Sequence, residues 1–68
     1  MKIVLNGEPR ELAPSATVAD AVDASGAPES GDGVAVAVGG EVVPRSLWAG
    51  RTLAEGDQVE VLQAVQGG

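Results

Sequence analysis

The sequence has no cysteine, no histidine, no tyrosine and no phenylalanine, and a single tryptophan. Without cysteine, no disulfide can staple the fold. Without histidine and cysteine, the usual proton shuttle, thiol nucleophile and soft metal ligands are missing, so no metal is expected. Lys2 is the one lysine, and it lies beside the first expected strand. The carboxylates are scattered and mostly flank turns, and no spacing selects a pair for acid–base work. The 10 glycines form neither a G-x-G-x-x-G nor a Walker-type pattern. The residues therefore offer no side-chain active site, and the chain is not expected to be an enzyme.

Positive charge is scarce as well. Four Lys and Arg stand against 10 Asp and Glu, for a net charge of −6. Such a surface is poorly suited to phosphate backbones, and no nucleic-acid partner is expected. It suits a basic protein partner instead. No apolar run is long enough to cross a bilayer. The start, MKIVLNG, reads as a strand and a turn and lacks the regions of a signal peptide. The expectation is a cytoplasmic protein without a membrane partner. At 68 residues the chain is enough for one domain.

What is present is a succession of short extended runs and turns. Lys2–Leu5 followed by Asn6-Gly7 predicts a strand and a hairpin turn, since both turn residues accept positive φ. The return strand is Glu8–Leu12, with Pro9 marking it as an edge. In SATVADAVDASG, Thr17 is the expected N-cap, with Asp20 three residues on. Val18, Ala21 and Val22 share one helical face, and Gly26 with Pro28 ends the helix. GAPESGDG, residues 26–33, reads as a mobile surface loop with nothing able to bury surface. Val34, Val36 and Val38 alternate with alanines and predict an inward-facing strand. Gly39-Gly40 turns the chain into a strand over Glu41–Val43, which Pro44 ends. A single helical turn is expected around Ser46–Ala49, with Trp48 as a lid over one end of the core. Glu55-Gly56-Asp57 is a tight turn. The last strand is QVEVLQAV, with Val59 and Val61 inward and Glu60, Leu62 and Ala64 outward. A hairpin, a helix and further strands imply an α+β fold: a mixed sheet of four to five strands packed on one short helix.

Three stretches carry a resemblance: VAVGGEVVPRSLWA, LAEGDQVEVLQAVQGG with its final Gly-Gly, and the helix start TVADAV. Together they resemble the ThiS family of thiamine-biosynthesis sulfur carrier proteins, over the whole chain and most densely from Val34 to Gly68. The resemblance implies a β-grasp, or ubiquitin-like, fold over residues 1–65 and a flexible C-terminal tail over 66–68. The chain departs from the family pattern at two places. Gly39-Gly40 stands where the family commonly has Asn-Gly, and DASGAPESGDG stands where it usually has leucines.

The resemblance also implies a chemistry. The carboxylate of Gly68 would be adenylated and converted to a thiocarboxylate, which donates sulfur for thiazole formation. Its partners would be a ubiquitin-activating-type adenylyltransferase (ThiF-like), a persulfide sulfur donor and a thiazole synthase (ThiG-like). No cofactor would be bound by the chain itself; the activating partner would use ATP. Gly67 and Gln66 would present the terminus, because glycine lets the backbone approach closely inside a narrow channel. Leu62, an outward apolar residue near the tail, is a candidate docking residue together with Ala64 and Arg45. For Arg45 the alternative is a solvated charge after the strand end. Two other functions share the Gly-Gly terminus: the small subunit of molybdopterin synthase and a ubiquitin-like protein modifier.

Overall fold

A computed structural model describes residues 1–28 and 30–64. The elements arise where the local chemistry expects them. Strand β1 (Lys2–Leu5) and strand β2 (Glu8–Glu11) pair antiparallel across Asn6-Gly7. Asn6 has φ 51° and Gly7 φ 83°, the positive values that this tight turn needs. Pro9 lies opposite Val4 in an edge strand whose residues are all exposed. Helix α1 (Val18–Ala24) starts where the Asp20 carboxylate accepts the Thr17 backbone N–H at 2.8 Å. It buries Val18, Ala21 and Val22, the face set by their spacing.

Strand β3 (Val34–Val38) turns at Gly39-Gly40 into the two-residue strand β4 (Glu41–Val42). Strand β5 (Gln58–Gln63) closes the sheet, whose order is β2-β1-β5-β3-β4. β5 runs parallel to β1 and antiparallel to β3, so the first and last strands lie side by side in the middle of the sheet. This mixed five-stranded sheet with one short helix is the β-grasp arrangement. Ile3, Leu5, Val36, Val38, Val59 and Val61 face the helix and, with its buried residues, form one core. Among the described residues no helix is long and apolar enough to cross a membrane.

Four bounds shift. The second strand ends at Glu11 rather than Leu12, and the last strand ends at Gln63, with Ala64 beyond it. The fourth strand ends at Val42 rather than Val43: Val42 is exposed, while Val43 turns into the core and donates its N–H to the Val36 carbonyl at 2.9 Å. The helical turn is a 3-10 turn over Arg45–Leu47, one residue earlier than Ser46–Ala49. Pro44, with φ −60°, already has the torsion that leads into it. Trp48 follows, buried as the lid, with its Nε1–H donating to the Val43 carbonyl at 2.9 Å.

The loop after the helix differs more. Gly31 is buried, and Ala27 and Pro28 are half-buried. The expectation that this segment buries nothing is overturned. A glycine has no side chain to signal burial, yet its bare backbone can lie flat against a large neighbour.

Candidate functional site

The stretch that leads to the C-terminus is β5, so the site is built from its register outward. Val59 and Val61 point into the core, which leaves Glu60 and Leu62 on the outer face. Leu62 is 65% exposed. Across the sheet it stands opposite Ala35 of β3, while Glu60 stands opposite Ala37, and Ala37 in turn faces Val42 of β4. Val42 is 72% exposed. The outer face therefore carries small and apolar side chains, with Glu60 set among them. On the β1 side it dips into a shallow hollow lined by Val4, Asn6, Gly7, Gln58, Glu60 and Leu62. Its small neighbours Ala35 and Ala37 leave Leu62 standing proud of the face.

Contacts on both sides hold the second half of β5 and the residue after it. On one side, the β1 hairpin has already turned away at Asn6, and the Asn6 side chain continues the ladder in its place. Its Oδ1 accepts the Val61 N–H at 2.8 Å, and its Nδ2 donates to the Val61 carbonyl at 3.3 Å. On the other side, the Ala64 N–H donates to the Gly33 carbonyl at 2.7 Å, one step beyond the Val34–Gln63 pair. Neither contact was expected from the sequence. Asn6 was accounted for by its turn, and nothing in the one-dimensional pattern distinguishes a turn asparagine that also bonds a neighbouring strand.

The predicted site residues separate into three groups. Leu62, in β5, and Ala64, just past its end, are both exposed. Arg45 is engaged with the loop that follows the helix: its guanidinium donates to the Ser30 carbonyl and to the Asp32 carboxylate, the latter at 3.3 Å. Gln66, Gly67 and Gly68 lie outside the described residues. Among the described residues, every buried side chain is apolar. What this geometry offers is an exposed, partly apolar face on the outer sheet and a last strand bonded on both sides.

A sequence model of the ThiS family matches residues 3–68 of the chain. Among solved structures, the chain is similar to the crystal structure of a thiamine biosynthesis protein (ThiS) from Geobacter metallireducens. The two share 31% identity and a TM-score of 0.78, over 100% of each chain. The solution structure of a thiamine biosynthesis protein from the same organism gives 31% identity and a TM-score of 0.79, over 100% of this chain and 88% of that one. SAMP1 from Haloferax volcanii is similar at 26% identity and a TM-score of 0.62, over 98% of this chain and 97% of the other. No curated protein matches significantly.

Proposed function

The chain belongs to the ThiS family, and from that premise we propose that it is a sulfur carrier for thiazole formation in thiamine biosynthesis. It acts as a co-substrate of its partner enzymes and is not itself the catalyst. A free carboxylate is a poor electrophile because its leaving group would be oxide. The Gly68 carboxylate oxygen attacks the α-phosphorus of ATP on an adenylyltransferase and releases pyrophosphate. The terminal sulfur of a persulfide then attacks the acyl carbon and displaces AMP. A thiol opens the resulting acyl disulfide and leaves a thiocarboxylate on Gly68. Sulfur carried on the main chain needs no cysteine, which accords with a sequence that has none. On a thiazole synthase, the thiocarboxylate sulfur adds to a carbonyl of a sugar-derived intermediate held as an imine, and the carbonyl oxygen takes up the electron pair. Later cleavage of the S–acyl bond by water leaves the sulfur on the intermediate and returns Gly68 as a carboxylate.

The observation that carries the reading is that the family match runs through the terminal Gly67-Gly68. Gly67 allows close backbone approach in a narrow channel. Ordering the tail on a partner costs about 1–2 kcal/mol per residue. Docking contacts elsewhere offset that cost, and Leu62, standing exposed on the outer face, is suited to supply them. Deleting Gly68, or adding one residue after it, is expected to abolish adenylation and leave the fold intact. ATP–pyrophosphate exchange measures this directly. Unimpaired exchange with the extended chain would overturn the assignment of Gly68.

A further inference from the structure

We propose that Arg45 is a positioning residue for the C-terminal tail, acting through the Ser30–Gly33 turn on Ala64, and not a contact for the partner. The consequence for adenylation rests on the carrier reading; the chain of contacts does not.

The chain of contacts begins at the guanidinium. It holds the Ser30 carbonyl and the Asp32 carboxylate, and so straddles Gly31. Gly31 has φ +74° and lies against both Arg45 and Trp48. A Cβ there would stand 3.0 Å from Arg45 Nε and 3.1 Å from the Trp48 ring. A side chain there would be strained by the positive φ and would push the Arg45 and Trp48 side chains back by a few tenths of an ångström. The Gly31 carbonyl accepts the Val34 N–H at 3.2 Å, which closes the turn at the start of β3. Within that turn the Gly33 carbonyl accepts the Ala64 N–H at 2.7 Å. Ala64 is the last described residue before the tail. Arg45 is thus linked, through one tight turn, to the point from which the tail departs.

The composition of the loop explains why an arginine takes this part. Residues 26–33 contain no large apolar side chain that could anchor the loop in the core. The anchor comes from outside, from Arg45 and Trp48. An ion pair whose side chains are 59% and 83% exposed contributes little to stability. A planar fork that holds a carbonyl and a carboxylate together fixes geometry instead. Loss of Arg45 should therefore loosen the turn and Ala64 while leaving the core in place. Misplacing a reacting end lowers the rate of the chemical step, whereas losing a docking contact weakens binding.

The test has two arms, both on the full chain. Amide hydrogen exchange is measured on the wild type, Arg45→Ala and Arg45→Lys without any partner. In Arg45→Ala the Ala64 N–H is expected to exchange about tenfold faster, with Val59 and Val61 unchanged. Arg45→Lys, which keeps the charge and loses the fork, should recover only part of the protection. Steady-state adenylation by a cognate adenylyltransferase is then expected to show a lower kcat with KM held within about twofold. Should Arg45→Ala unfold, Asp32→Asn repeats both arms at an exposed carboxylate, with about threefold faster exchange at Ala64 expected. Wild-type exchange at Ala64, or a raised KM with unchanged kcat, would overturn the proposal and return Arg45 to a docking role. If the wild type is never adenylated while Ala64 still responds to Arg45, the carrier reading fails and the contact chain stands.

Discussion

Asn6 has two tasks at once. Its backbone supplies the first positive φ of the hairpin turn, and its amide replaces a missing residue of β1 on Val61. Asn6→Gly separates the two, because glycine accepts the same φ and has no amide to offer. The substitution is expected to cost about 1–2 kcal/mol in urea denaturation, since two hydrogen bonds to the central strand are lost. Unchanged stability would show that the side-chain ladder contributes nothing. Leu62 makes the opposite case. Leu62→Glu is expected to change unfolding by less than about 0.5 kcal/mol and to weaken binding to the adenylyltransferase. Normal binding would place the docking face elsewhere, and unfolding would contradict the outward register of Leu62. The orientation of Leu62 was legible because strand alternation is a property of the sequence alone. The second task of Asn6 was not, because its partner is 55 residues away along the chain.

Among the elements, those defined by periodicity or capping were readable, and those defined by contact were not. The Thr17–Asp20 cap and the Val18, Ala21 and Val22 face placed α1, and alternating valines placed β3 and β5. The loop of residues 26–33 carries no pattern of its own, because Arg45 and Trp48 impose its shape from another part of the chain. The strand expected over Glu41–Val43 outruns β4 by one residue for a related reason. Val43 is as β-prone as Val42, and only its place beside Val36 and Trp48 turns it inward. The Trp48 corner gives a test at this scale. Trp48→Phe keeps a ring over the core and removes the donor to the Val43 carbonyl. It is expected to lower stability by about 1–3 kcal/mol, followed by far-ultraviolet circular dichroism in a denaturant titration. A smaller change would mean that Trp48 acts by packing alone.

The whole molecule is a small, acidic fold whose first and last strands lie side by side at the centre of the sheet. That placement sets the bonded last strand beside the exposed outer face, so under the proposed function docking and presentation of the terminus would share one strand. A net charge of −6 favours encounter with a basic partner. The association rate with the adenylyltransferase is expected to fall as salt rises, because screening weakens steering more than it weakens close contacts. A salt-independent rate in stopped-flow mixing would remove charge from the account. Under the proposed function, sulfur is carried on the main chain at Gly68. The direct measurement is the intact mass of the chain after incubation with ATP, a persulfide donor and a cognate adenylyltransferase. The expected result is a gain equal to the replacement of one oxygen by sulfur, absent when Gly68 is deleted. A chain that keeps its carboxylate mass, while a ThiS protein known to be converted gains the sulfur under the same conditions, would contradict it.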